Sequence, residues 1–185
     1  PPATSSAASD VYKRQFIGTV KDSGVKTFII HARKGILKGL SPRQNRNIPP
    51  LNYQKVYSIK DDFPELEIII NGGIKNISEA KNHLNFVDGV MLGRAAYDDP
   101  FMLSDIDSEI YANTKIEISR KDLLTEYLDY VHLMTKKGYD PKIMLKHVFG
   151  LKKGEKDAKR FRVKVAEIMN SSSLVENKDE LLSMV

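Results

Sequence analysis

The hydrophobic pattern changes character about half-way along the chain. In the first half, three short apolar runs over 25–32, 66–70 and 89–92 are separated by segments with helical spacing. Short, nearly continuous apolar runs are typical of strands that are buried on both faces of a parallel sheet. The first half therefore predicts an α-β-α-β-α-β order with right-handed crossovers.

The second half predicts helices only. Ser119 with Asp122 predicts the capped start of a long helix, and Asp140-Pro141 predicts the start of the next one, with proline in the first turn. Further helices are expected over about 155–169 and 175–184.

The resulting domain organisation has three parts. Residues 1–15 are small and polar without periodicity, and we expect a disordered or non-native leader there. Residues 16–103 form the predicted α/β domain and residues 104–185 the predicted helical domain.

Composition narrows the function classes. The chain has 185 residues, 41% of them hydrophobic and 29% charged, with no cysteine and a net charge of +5. These values indicate a globular protein and exclude disulfides and cysteine chemistry within this chain. No apolar run approaches the roughly 18 residues of a membrane span, and no apolar signal-peptide core lies near the start, so we expect neither a membrane span nor secretion. The positive net charge favours anionic partners.

Candidate ligand contacts follow each predicted strand, where parallel α/β folds bind ligands. His31 follows the first strand, Asn71-Gly72-Gly73 the second and Gly93-Arg94 the third. Glycines let a ligand approach the backbone, and the helix after Gly73 would offer its N–H groups to a phosphate. The alternative is that these glycines only make tight turns, but two successive turns, one with an arginine, favour phosphate.

Two segments are strongly basic. The first, residues 32–50, we call the basic loop. The second, residues 146–164, we call the basic segment, and it has eight basic residues against two acidic ones. Each is either a solvated surface or a polyanion contact, and the two together favour a nucleic acid. The basic loop contains no acidic residue and five cations: Arg33, Lys34, Lys38, Arg43 and Arg46.

Other catalytic or metal chemistry has little support. His83, His132 and His147 lie within helical patterns and are interpreted as surface or core-edge residues in preference to ligands. No histidine or carboxylate spacing matches a metal site, and no G-x-S-x-G turn supports serine catalysis.

Several strings in the chain are highly specific. They are H-A-R-K at 31–34, L-K-G-L-S-P at 37–42, N-R at 45–46, I-P-P-L at 48–51, N-G-G-I at 71–74 and D-G-V-M-L-G-R-A-A-Y at 88–97. In order and spacing they closely resemble the tRNA-dihydrouridine synthases of the A type. The similarity extends over about residues 16–170.

The resemblance implies a flavoenzyme with a (β/α)₈ TIM barrel followed by a helical-bundle domain. Such enzymes use NADPH to reduce FMN and then reduce uridine in the tRNA D-loop, at positions 20 and 20a for the A type. A cysteine protonates the uracil. The resemblance also implies a cytoplasmic enzyme, monomeric at full length, without membrane or metal.

The resemblance assigns roles to ten residues of this chain. His31 matches the flavin-contacting histidine, and Arg43 and Arg46 match tRNA-contacting positions. Lys159 and Arg162 match a second tRNA-contacting pair. The flavin phosphate segments match Asn71, Gly72, Gly73, Gly93 and Arg94.

Chain length and the missing cysteine limit what this chain does alone. A full barrel takes about 250 residues, whereas only three strands precede the helical half here. The resemblance makes them strands six to eight, so the chain is interpreted as an inactive carboxyl-terminal portion with an uncovered inner sheet face. The alternatives are a non-catalytic RNA-binding module and, with less support, another FMN- or phosphate-binding barrel enzyme.

Overall fold

A three-stranded parallel sheet organises the first half of the protein. The computed structural model describes residues 6–36, 39–170 and 178–185. The strands are β1 (Thr27–His31), β2 (Glu67–Asn71) and β3 (Gly89–Met91), in the order β1-β2-β3. In the register, Ile29 pairs with Ile69 and Ile69 with Gly89. The predicted strands and their parallel arrangement are confirmed.

The helices of this half alternate with the strands as the pattern predicted. They are α1 (Ser6–Asp22), α2 (Pro42–Asn45), α3 (Gln54–Asp62) and α4 (Ile77–Leu84). Gly24 has a φ of +95° and its N–H donates to Lys21 O, so it ends α1. Asn76 caps α4 by accepting the N–H of Glu79 at 2.8 Å.

The expected disorder before residue 16 differs from the structure. Helix α1 already begins at Ser6 and runs without a break through the predicted boundary. Ile17 is 2% exposed and belongs to the core of the sheet domain, which gives the helix a buried contact in its second half. Residues 1–5 lie outside the described part.

Only one face of the sheet is fully buried. Ile30, Ile68 and Ile70 are at most 5% exposed and pack with Val56 of α3. Each such side chain contributes about 1.5–3 kcal/mol by leaving water. On the other face Ile29 is 54% exposed. Within the described residues, the face that carries Ile29 is therefore less buried than the apolar strand pattern predicts.

The second half is helical and has a core of its own. Phe161, Leu124 and Val131 are fully buried in it. Ser119 and Asp122 form the predicted capping box, and Asp140 caps the helix that starts at Pro141. The α-helices are α5 (Arg94–Asp98), α6 (Ile106–Glu109), α7 (Arg120–Lys136), α8 (Pro141–Leu145), α9 (Ala158–Asn170) and α10 (Lys178–Ser183). Of the helix expected over 175–184, residues 175–177 lie outside the described part.

The division between the two units falls between Gly93 and Arg94, ten residues before the predicted boundary. The strand pattern alone does not show this, because residues 94–103 contain no strand but pack with the helices that follow. Phe101 packs against the second core, and the Arg120 guanidinium lies 4.0 Å from its ring centroid. A Cβ atom at Gly150 would lie 2.5 Å from Asp98 O. No helix in the described ranges is long and apolar enough to span a bilayer.

Candidate functional site

The carboxyl ends of the strands bring polar side chains side by side. His31, Asn71 and Met91 end their strands, and the register pairs His31 with Asn71 and Asn71 with Met91. The Asn71 amide donates to Met91 Sδ at 3.3 Å. The sheet therefore places two of the predicted site residues, His31 and Asn71, next to each other at one edge.

The His31 ring is held by the backbone that follows it. Arg33 N–H donates to His31 Nδ1 at 3.0 Å, which requires a lone pair on Nδ1 and puts the ring proton on Nε2. The ring also lies against the glycine turn after β2. A Cβ atom at Gly72 would be 2.9 Å from His31 Cε1.

The fold itself requires the two glycines after β2. Gly72 and Gly73 have φ values of +119° and +75°, a region that other residues rarely adopt. Leu51 lies where a Cβ at Gly73 would be, and Tyr53 Oη donates to Gly72 O at 3.0 Å. Burial, with a smaller contribution from Glu79, raises the pKa of Tyr53, so the phenol keeps its proton as the donor. Packing thus accounts for this turn without a ligand.

The first turn of α4 is occupied by its own side chains. Glu79 Oε2 accepts the Lys75 N–H at 2.8 Å, and Asn76 Oδ1 accepts the Glu79 N–H at 2.8 Å. The Glu79 carboxylate and the Asn76 amide thus already accept the N–H groups of Lys75 and Glu79 at the start of α4. A phosphate contact at this turn stays a prediction.

Gly93 differs from the glycines at 72 and 73. Its φ is not positive, and a Cβ atom there would meet nothing within 4 Å. The fold places no demand for glycine at this position, and the backbone is exposed there. Arg94 follows directly in the chain as the first residue of α5.

The basic loop is folded, and its cations have different surroundings. Arg33 forms an antiparallel bridge with Leu51, and its guanidinium donates to the carbonyls of Asn47 and Pro49. Arg33 is therefore part of the base of the loop. Arg43 and Arg46 are exposed. Lys38 lies outside the described residues.

A capped turn carries the exposed arginines. Ser41 and Gln44 form a capping box at the start of α2, with Pro42 in its first turn. Arg43 lies within α2, and Arg46 ends it. These arginines were identified by resemblance, whereas the capping box was missed, although the S-P-R-Q string displays its spacing.

The basic segment of the second unit also divides into inward and outward residues. Phe161 is fully buried, so it is a core residue and no contact for a base. Lys164 pairs with Glu180 at 2.6 Å, and Lys152 donates to Met184 O. The exposed cations are Lys146, Lys153, Lys156, Lys159, Arg160 and Arg162. Lys159 and Arg162 are three residues apart on α9 and so share a face.

His83 is a structural residue, as its place in a helical pattern suggested. It is 7% exposed, and its Nδ1 lies 2.6 Å from Tyr57 Oη. Burial lowers the pKa of His83, and Glu79 opposes this to a smaller extent. Within the described ranges, no group of three histidine or acidic side chains is arranged to hold a metal ion.

Comparisons with known proteins agree with these motifs. The family described as Dihydrouridine synthase (Dus) matches residues 8–184. The tRNA-dihydrouridine(20/20a) synthase of Pseudomonas putida is 42% identical over 147 residues, which is 80% of this chain and 44% of that protein. The synthase of Pseudomonas syringae pv. tomato is 44% identical over the same shares, and that of Shewanella oneidensis is 43% identical over 152 residues, 82% and 45% of the two chains. The chain thus spans less than half the length of these curated relatives.

Proposed function

The chain belongs to the dihydrouridine synthase family, and from that premise we propose that it is part of an oxidoreductase that reduces uridine in tRNA to dihydrouridine. The observation that carries this proposal is identity of 42% to a tRNA-dihydrouridine(20/20a) synthase over 80% of the chain. We assign the substrate uridines to positions 20 and 20a of the D-loop, after the names of the relatives. A tRNA substrate favours a cytoplasmic location, and the resemblance favours a monomeric full-length enzyme.

We propose FMN as the cofactor and NADPH as its reductant, and the carboxyl edge of the sheet fits part of such a site. When bound, the flavin supplies the hydride that reduces the uracil ring. His31 would donate to it from Nε2, because Nδ1 accepts the Arg33 N–H. Asn71 lies beside His31 at the strand ends.

The phosphate contact belongs at Gly93 and Arg94 more than at α4. A glycine that the fold does not require, with no atom within 4 Å of a Cβ there, leaves the backbone open to a ligand. A guanidinium next in the chain suits a phosphate. Gly72 and Gly73 then serve mainly to let the backbone pass close to His31 and Leu51.

The tRNA contacts are proposed on the two basic surfaces. Arg43 and Arg46 are exposed around a capped turn, and Lys159 and Arg162 share a face of α9. Neutralising phosphates at these positions releases counterions, so affinity falls steeply as salt rises.

We expect this chain alone not to catalyse the reduction of uridine. It contains no cysteine, so the proton donor that the resemblance implies is not among its residues. The test is to incubate the purified chain with FMN, NADPH and tRNA that lacks dihydrouridine. If the chain bound one FMN per molecule and reduced uridine in the tRNA, the interpretation as an inactive portion would be overturned.

A chimaera tests the family function directly. Residues 16–170 replace the aligned segment of the Pseudomonas putida synthase, and the chimaera is expressed in a strain without dihydrouridine at positions 20 and 20a. We expect dihydrouridine to return at those positions. A chimaera that retains flavin yet leaves these uridines unmodified contradicts the proposal.

The second candidate function is a non-catalytic RNA-binding module. The basic loop favours this function, because the contacts that order it, at its base and at its capped turn, are all made within the chain. The loop therefore does not need the rest of a barrel in order to form. It predicts salt-dependent tRNA binding by the chain without flavin.

A further inference from the structure

The basic loop contains a side chain that bonds to its backbone at three points. Asn45 Oδ1 accepts the Ile36 N–H at 2.7 Å, and Asn45 Nδ2 donates to Ile36 O at 2.8 Å. The same Nδ2 also lies 3.3 Å from Leu40 O. The amide thus pairs with both backbone groups of Ile36, as a neighbouring strand would.

Two other sets of contacts in the described part of the loop lie elsewhere. The contacts of Arg33 with Asn47, Pro49 and Leu51 close the base of the loop. The capping box of Ser41 and Gln44 is confined to α2. A helix of four residues is not stable by itself, since nucleation is unfavourable. The hydrogen bonds of Asn45 link α2 to the segment that precedes it in the loop.

We propose that Asn45 is a positioning residue for tRNA binding, which holds α2 against Ile36 and Leu40 so that Arg43 and Arg46 are presented in a fixed arrangement. The proposal rests on the tRNA contacts proposed above for those two arginines. Asn45 lies between them in sequence, and both are exposed whereas Asn45 is partly buried.

The chemistry of the position is specific to a short amide. An aspartate would accept the Ile36 N–H but repel its carbonyl, and a serine would not reach two backbone groups at once. An ordered loop binds with little loss of conformational freedom. The apparent affinity for tRNA is therefore proportional to the fraction of molecules in which the loop is ordered.

The test compares Asn45→Ala with Arg43→Ala and with Asn82→Ala. Asn82 is an exposed asparagine of α4, which lies outside the basic loop, and it is the matched control. Affinity for tRNA is measured over a range of salt concentrations, and amide hydrogen exchange is measured at Ile36.

We expect Asn45→Ala to weaken tRNA binding about tenfold, because loss of these hydrogen bonds lets the loop open. The salt dependence should not change, since no phosphate contact is removed, and protection of the Ile36 amide should be lost. Arg43→Ala should instead lower the salt slope by about one and leave the Ile36 amide protected.

A double-mutant cycle separates positioning from general destabilisation. In a chain that already carries Arg43→Ala and Arg46→Ala, adding Asn45→Ala should change affinity less than about twofold. An equal loss in both backgrounds overturns the proposal, as does an affinity for Asn45→Ala equal to that of Asn82→Ala. If the unsubstituted chain does not bind tRNA, the tRNA contacts proposed for Arg43 and Arg46 fail, whereas the chimaera tests the family function separately.

Discussion

Tyr57 Oη lies 2.6 Å from His83 Nδ1, and this hydrogen bond joins α3 to α4. Burial raises the pKa of Tyr57, with a smaller contribution from Tyr53, and burial lowers the pKa of His83. At neutral pH the phenol therefore keeps its proton and the imidazole is neutral, and one hydrogen bond joins the two side chains. The ring of Tyr53, which holds the turn after β2, packs edge-on against His83 at 4.4 Å between centroids.

The neutral state of His83 predicts acid sensitivity. The unfolded chain binds a proton at this histidine near the ordinary histidine pKa of about 6.5, whereas the folded chain does so only at lower pH. The unfolded state thus holds more protons in that range, so the free energy of unfolding decreases as pH falls below about 6.5. Urea unfolding at pH 7.5 and 5.5 measures the difference.

His83→Gln supplies the control for that prediction, because it cannot take up the proton. The variant should be less stable at pH 7.5 but should lose less stability than the unsubstituted chain on going to pH 5.5. The carboxyl of Asp88 does not interfere in this window. Burial raises its pKa, but the Ile68 N–H and Lys60 outweigh this and leave it lowered. A pH dependence that is the same with and without His83 contradicts the account.

The glycine turn predicts unequal effects of two similar substitutions. Gly72→Ala should lower the free energy of unfolding by about 1–3 kcal/mol, because φ is +119° and the new Cβ would meet His31. Gly93→Ala should leave it unchanged within about 0.5 kcal/mol, because neither its φ nor its surroundings exclude a methyl group. Urea denaturation of the two variants checks this, and equal destabilisation would count against the structure of the turn.

The face of α9 predicts a second tRNA contact. Lys159→Glu with Arg162→Glu should weaken tRNA binding and reduce its salt dependence, because two phosphate contacts are lost and two repulsions are added. Lys136→Glu with Lys137→Glu, at the end of α7, changes charge equally outside the basic segment. If both pairs reduce affinity by the same factor, the effect is one of net charge and the α9 contact is refuted.

Much of the sheet domain followed from local patterns in the sequence. The strands were predicted because short, nearly continuous apolar runs are typical of buried strands, and Gly24, Asn76 and Ser119 mark helix ends by their own chemistry. The burial of only one sheet face was less apparent. Ile29 and Ile30 look alike in the sequence, and only the position of the helices distinguishes them.

The roles of individual polar residues were harder to predict. Arg33 looks like any other cation of the basic loop until the chain folds back and places two carbonyls beside its guanidinium. Likewise, the spacing of Asn76 and Glu79 is typical of a helix cap, but the contact of the Glu79 carboxylate with the Lys75 N–H is seen only in the folded chain. Such roles depend on which atoms the fold brings together, and the residue types alone do not show this.

The affinity of the chain for tRNA, measured from low to physiological salt, tests the central claim most directly. The account predicts binding that weakens steeply with salt and that falls strongly for Arg43→Glu with Arg46→Glu, while Lys136→Glu with Lys137→Glu changes it little. Binding that is insensitive to salt, or equal for the two pairs of substitutions, would contradict a tRNA contact through the basic loop.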